Sequence, residues 1–185
     1  IIQQKSLAPN KDALFDIGSS GPIFGFVFAV IVSIVGLLFS PIFPIKGNES
    51  FLPFPIIFEL FAVLIVKLPP NYYVLLHPVA FAGWVGMFVT AINLIPAGML
   101  DGGHAVRGLL GEKASNVLPI IAIMILLVLN FHFYWPVAIL AFFFSMQRYP
   151  GPLDDVSKLT TGRKIIAILL VAVFILCIAP SSYLL

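Results

Sequence analysis

The chain has 185 residues, of which 61% are hydrophobic and only 10% charged, and its mean hydropathy is +1.10. A soluble domain carries about 25% charged residues, so the composition excludes an ordinary water-soluble fold and specifies an integral membrane protein. Ten basic and eight acidic residues leave a net charge of +2; they are scattered between apolar runs, which excludes the clustered basic surface that nucleic-acid binding requires, and the single cysteine, Cys177, excludes an intrachain disulfide and a cysteine-based metal site.

In chain order, residues 1–16 form a polar lead-in with Lys5, Lys11, Asp12 and Asp16. Residues 17–43 carry no charge and, at about 1.5 Å per residue, exceed the roughly 30 Å of a bilayer core. Within them Gly21 and Gly25 stand at i, i+4, a spacing that admits a second helix at close range; this predicts helix packing and, on a sharper reading, a wall beside an active site. Residues 40–50 read as a loop. Residues 55–66 are apolar, contain Glu59 and are too short for an ordinary span, which predicts an interfacial or re-entrant helix. Residues 71–78 form a connector with Tyr72 and Tyr73, suited to a headgroup region.

Residues 79–96 are again free of charge and make a second span, running into Asn93-Leu94-Ile95-Pro96-Ala97-Gly98-Met99-Leu100-Asp101-Gly102-Gly103-His104. The carboxylate of Asp101 sits at the end of this hydrocarbon run. An ionisable group near bilayer depth is costly enough to mark function by default, and a carboxylate there can ligate a metal, relay a proton or cap a turn. The plain alternative is that Asp101-Gly102-Gly103 is a surface turn with the carboxylate bonded to local backbone. Residues 102–116 are expected to be a polar loop, with His104 at its mouth.

Residues 117–147 are charge-free, interrupted by residues 130–136. Folded as a hairpin of two helices, they put Lys5, Lys11, Arg107, Lys113, Arg148, Lys158, Arg163 and Lys164 on one side of the membrane and Lys46 and Lys67 on the other. That asymmetry fits the positive-inside rule and predicts that the Asp101 end is cytoplasmic. Residues 148–164 are then a loop and 165–179 a final helix. The expected fold class is all-α: a single membrane-embedded domain over residues 1–185, a polytopic transmembrane bundle of four to five spans plus the interfacial or re-entrant helix.

Asn93-x-x-Pro96 followed by Leu100-Asp101-Gly102-Gly103 at the end of a transmembrane segment resembles the second signature of the site-2 protease family of intramembrane zinc metalloproteases. Three further stretches resemble its archaeal, cyanobacterial and plastid branch: Ala13-Leu14-Phe15-Asp16-Ile17-Gly18 with Gly21-Pro22, the run from His77-Pro78 to Gly86, and Pro152-Leu153-Asp154-Asp155-Val156. The resemblance implies that Asp101 is the third zinc ligand, that Asn93 orients substrate or the reacting carbonyl, and that the reaction is hydrolysis of a membrane-protein substrate within its transmembrane helix. Three protein ligands and an open position on Zn²⁺ are the arrangement that generates a nucleophilic water near neutral pH.

The family takes two zinc-binding histidines and its general-base glutamate from H-E-x-x-H, which places both imidazoles on one helix face. These 185 residues contain no such motif: the histidines are His77, His104 and His132, and none is followed by Glu. The resemblance therefore implies an upstream zinc-binding helix before Ile1 and a chain that is inactive alone. His77 and His132 read as interfacial residues, and Asp154 and Asp155 as either a family motif or a solvated turn. Two other classes stay open: a noncatalytic protease-like scaffold, and a small transporter or channel in which Asp101 handles a cation or proton.

Overall fold

The computed structural model describes residues 7–45, 54–67, 69, 71–129, 131–146 and 151–181. Among them are seven helices and four short strands: α1 (Lys11–Leu38), β1 (Ile42–Pro44), β2 (Phe54–Pro55), α2 (Ile56–Val66), β3 (Tyr72–Val74), α3 (Pro78–Leu94), α4 (Asp101–Leu110), α5 (Glu112–Leu129), α6 (Phe131–Ser145), α7 (Thr161–Ile178) and β4 (Pro180–Ser181). Their contacts fall into two compact units, residues 1–23 with 92–171, and residues 24–91 with 172–185.

The first unit opens at the start of α1, where Asn10 Oδ1 accepts the Ala13 N–H at 2.9 Å and satisfies one of the donors that a helix N-terminus leaves over. Asp12 lies in the first turn, where a negative charge is favourable to the helix dipole. The helix thus begins ahead of the apolar run, because capping and charge, rather than hydrophobicity, fix its start. Residues 102–116 are not the loop expected: α4 and α5 occupy most of them. Two adjacent glycines argue against a helix by propensity, but a close backbone approach described below requires them. Residues 117–147 divide between α5 and α6, which pack against one another as consecutive helices. Asn130, the side chain of His132 and residues 148–150 of the expected loop lie outside the described residues.

In the second unit α1 and α3 touch backbone to backbone. A Cβ on Gly83 would stand 2.6 Å from the Ser33 nitrogen, and the buried Ser33 hydroxyl donates back to Ala29 O at 2.7 Å, so no polar group is stranded at that contact. The connectors hold two antiparallel ribbons that an all-α reading missed: β1 with β3, pairing Ile42 with Val74 and Pro44 with Tyr72, and β2 with β4, pairing Phe54 with Ser181. Two or three residues are too few for a period-2 pattern to show in sequence. His77, read from the sequence as interfacial, caps α3: its backbone N–H donates to Ser40 Oγ at 3.0 Å and its Nδ1 accepts the Val79 N–H at 3.3 Å.

Helices α1 and α7 are long and apolar enough to cross a membrane. On α1 the exposed large residues Phe24, Val27, Phe28, Ile31, Val35 and Leu38 recur at helical spacing and form a stripe, and on α7 Ile165, Ile168, Leu169 and Ile175 do the same. Stripes of this size are unfavourable in water and match lipid, and the chain is membrane-associated. Helix α2, at 11 residues, is shorter than a full span, and α3, at 17, lies at the lower end of the spanning range.

Candidate metal-binding site at the start of helix α4

Pro96 has no N–H and disfavours helical backbone at the residue before it, which ends α3 at Leu94. The chain then reverses tightly: Ala97 N donates to Ile95 O at 2.7 Å and Leu100 N to Ala97 O at 2.9 Å, with Gly98 at φ +40°, a left-handed conformation that favours glycine. His104 N donates to Leu100 O at 3.2 Å, and α4 begins with Asp101 as its first residue. The reversal folds the end of α3 onto the first turn of α4. A Cβ on Gly102 would stand 2.6 Å from Ile95 O, and closer still to Leu94 O; one on Gly103 would stand 3.0 Å from Ala97 O. No larger residue fits at either position without moving backbone.

The same first turn rests on α1. A Cβ on Gly18 would stand 2.5 Å from both Asp101 O and Ala105 N and 2.8 Å from His104 Cβ, and one on Gly21 would stand 2.8 Å from Asp101 Oδ2. Gly18 and Gly21 of α1 thus lie directly against the first turn of α4, and at Gly21 what they admit is the carboxylate itself; Gly25, paired with Gly21 by its spacing, faces Thr90 Oγ1 instead. Among the described residues no hydrogen-bond donor or cation is bonded to the Asp101 side chain, and Leu100, at the N-cap, provides no side-chain cap. The surface-turn reading, with Asp101 bonded to local backbone, is not what the structure has. The positive end of the α4 dipole favours a negative group at the first helical position.

Asn93 lies in the last turn of α3 and is partly exposed; the contact of Leu94 with Gly102 brings that turn and the start of α4 together. His104, expected at a polar mouth, is instead 1% exposed. It follows Asp101 by three residues on the same helix, a spacing that shares one face. Sequence reading set the helix aside because of the two glycines and so mistook the place of His104.

Sequence reading also missed the polar contacts that hold α4 and α1. Arg107, buried with 7% exposure, donates from Nη1 to Asp155 Oδ1 at 3.2 Å and from Nη2 to Asp155 Oδ2 at 2.8 Å. Lys11 adds a 3.5 Å ion pair to the same carboxylate. Hydrogen bonds from Arg107 hold the Asp155 carboxyl below the usual carboxylate range, with the nearby Arg107 and Lys11 charges acting in the same direction. Beside this pair, Leu153 N donates to Ala8 O at 2.9 Å and Asp154 N to Pro9 O at 3.0 Å. Asp154 Oδ1 accepts the N–H groups of Val156 and Ser157, both at 3.0 Å. Arg163 donates to Asp16 through Nε at 2.8 Å and Nη2 at 2.6 Å, and to Asp12 through Nη1 at 3.0 Å; Thr160 bonds Asp12 as well. Asp154 and Asp155 are thus parts of a built turn and clasp, not a merely solvated turn. No signal in the sequence paired these residues, whose partners stand 48 and 147 positions apart.

As a test for zinc, Asp101 fits as a single ligand: it is an oxygen donor with no competing partner among the described residues, in a cradle that any side chain at position 21 would fill. The described residues contain no group of three or more His, Cys, Asp or Glu placed to hold a metal ion. The chain's own residues therefore offer one ligand, not a complete tetrahedral set.

Comparison with known proteins bears on the same residues. The profile of Peptidase family M50 matches residues 3–137. The chain is 35% identical over 123 residues to the probable zinc metalloprotease EGY1, chloroplastic, of Oryza sativa subsp. japonica, an alignment covering 62% of this chain and 21% of that protein. Its counterpart of the same name from Arabidopsis thaliana is 35% identical over 122 residues, covering 62% and 22%. The probable zinc metalloprotease EGY2, chloroplastic, of Oryza sativa subsp. indica is 30% identical over 166 residues, covering 83% and 28%. The chain thus spans less than a third of the length of these relatives. No solved structure matches it. A profile that takes in α1, the α3–α4 reversal and the Asp101 turn leaves one assignment: the chain belongs to peptidase family M50, the site-2 protease family.

Proposed function

We propose that this chain is the part of an intramembrane zinc metalloendopeptidase that supplies the third zinc ligand, Asp101, and a substrate-positioning residue, Asn93. The observation that carries the reading is the Asp101 carboxylate at the start of α4, set against Gly21 and bonded to no donor or cation among the described residues. A carboxylate near hydrocarbon is costly unless it is partnered, and a cation would offset that cost. Kinship with probable zinc metalloproteases supports zinc as that cation. The two histidines and the general-base glutamate are supplied from outside these 185 residues.

When bound, Zn²⁺ polarises a carbonyl and supplies a water of lowered pKa. The chain's own contribution is to present the Asp101 oxygen and, through the Asn93 amide, to hydrogen-bond an unwound stretch of substrate backbone. The substrate is the transmembrane helix of a membrane protein, since a hydrogen-bonded helix must open before its carbonyls can be attacked. In the bilayer the protein has four to five spans, with the Asp101 end on the cytoplasmic side; a reporter fused near Asn130 is expected on the opposite side.

The test is zinc content and cleavage in the full-length protein, with and without Asp101→Ala. The variant is expected to lose both. Full zinc occupancy with retained cleavage would remove Asp101 from the ligand set, and ion flux abolished by Asp101→Asn without any metal requirement would point to a translocating protein instead.

A further inference from the structure

We propose that Asp155, acting through Arg107, is a positioning residue for Asp101: the ion pair at one end of α4 fixes the carboxylate at the other. The proposal rests on the metal-ligand reading above. Helix α4 has 10 residues and is held against the same unit at two places. At its start the hold is steric, Gly18 and Gly21 of α1 receiving the first turn on one side and Gly102 and Gly103 lying against the α3–α4 reversal on the other. A smooth glycine contact limits distance but leaves a helix free to pivot.

The second hold is polar and lies in the last turn. Arg107 is bidentate to Asp155, its guanidinium lies over Gly151, where a Cβ would stand 3.0 Å from Cζ, and its neighbour Gly108 rests on Lys11 O and Phe15. Asp155 in turn is fixed to the start of α1 by Lys11 and by the backbone pairing of residues 153 and 154 with Ala8 and Pro9. A planar fork on a carboxylate sets orientation as well as distance. Arg107 follows Asp101 by about 9 Å along the helix axis, so a shift of about 1.5 Å at the Arg107 end turns α4, and the carboxylate with it, through about 10° about the glycine contact. A functional group must be held within about 10–20° of its productive direction, so a turn of this size already misdirects the ligand.

Removing the Asp155 charge leaves Arg107 buried and unpaired, which drives it toward solvent and turns α4 about its glycine contact. The predicted consequence falls on the metal ligand, although Asp155 touches neither metal nor substrate. Groups that orient a metal ligand typically change metal affinity by about 10–100-fold when lost.

The experiment uses the full-length protein in membranes with Asp155→Asn, Asp155→Glu and Asp16→Asn, reading zinc affinity by chelator competition, amide hydrogen exchange along α4, and kcat and KM on a transmembrane peptide. Asp155→Asn is expected to weaken zinc about tenfold or more, raise exchange along α4 and lower kcat with little change in KM; Asp155→Glu is expected to recover most of each. Asp16→Asn, which removes one of the two Arg163 ion pairs but leaves the α4 contact, is expected to lower thermal stability and leave zinc affinity unchanged. If Asp155→Asn fails to fold, Arg107→Lys, which keeps the charge and loses the fork, provides the same readout. Unchanged zinc affinity in the Asp155 and Arg107 variants, or an equal loss in Asp16→Asn, would overturn the proposal. Unchanged affinity in Asp101→Ala would instead overturn the ligand reading, with exchange along α4 still testing the tether.

Discussion

Gly21 lies directly against the carboxylate of Asp101, a Cβ at position 21 standing 2.8 Å from Oδ2 and 3.6 Å from Cγ. That atom is the tip of a side chain rather than backbone, so a methyl group there displaces the carboxylate without separating the helices. Alanine is also the better helix former by about 1 kcal/mol. Gly21→Ala is therefore expected to leave thermal stability in detergent unchanged or slightly raised while reducing zinc affinity and cleavage of the full-length protein about tenfold or more. A parallel loss of stability and zinc would count against this separation of roles.

Glycines 102 and 162 both stand in helices yet are expected to respond oppositely to alanine. A Cβ on Gly102 collides with Leu94 and Ile95 backbone, whereas one on Gly162 meets nothing within 4 Å. Overpacking against fixed atoms costs about 1–3 kcal/mol, which outweighs the propensity gain of about 1 kcal/mol. At Gly162 only the gain and the reduced freedom of the unfolded chain act. Denaturation midpoints are expected to fall for Gly102→Ala and rise for Gly162→Ala, and a rise for both would mean that the α3–α4 reversal is looser than its geometry.

The helical membrane character of the chain was legible because long runs without charge leave few other folds, and Asp101 stood out because it interrupts one of them. The short ribbons were not legible: Ile42, Phe43, Tyr72, Tyr73 and Val74 favour strands, but two or three residues carry no period. Helix α4 was hidden for the opposite reason. Its two glycines oppose a helix locally, and the contacts that require them come from Leu94, Ile95 and Ala97, whose proximity appears only once the chain has reversed at Pro96. The Arg107–Asp155 pair joins residues 48 apart in sequence, and no local pattern links them.

Arg163 bridges two carboxylates, Asp12 and Asp16, with three of its nitrogens. A lysine keeps the charge but presents a single point donor, so it cannot span both. Each pair is partly exposed and is weakened by solvent screening, which keeps the effect small. Arg163→Lys is expected to lower the unfolding midpoint by this modest amount, and the difference is expected to shrink in high salt. Indistinguishable stabilities at low salt would show that the fork contributes nothing beyond its charge.

Acid should weaken the clasp before it weakens the apolar core. Hydrogen bonds from Arg107 hold Asp155 below its ordinary value, and the Ser157 and Val156 N–H groups do the same for Asp154. A carboxyl whose folded pKa is depressed binds fewer protons folded than unfolded between the two values, so stability rises with pH across that window. The contribution is complete above the unfolded carboxylate range, near pH 4, and is lost as pH falls through the folded value. Since Asp155 is 40% exposed on its side chain, screening makes its share modest. Unfolding followed from about pH 6 down to about pH 2 is expected to show a declining midpoint below about pH 4, with a shallower decline in Asp155→Asn, because Asp154 and the other carboxylates still titrate. An identical decline in the variant would mean that the Asp155 pair is too solvated to couple folding to protons, and that the buried Arg107 is held by packing against Gly151 rather than by charge.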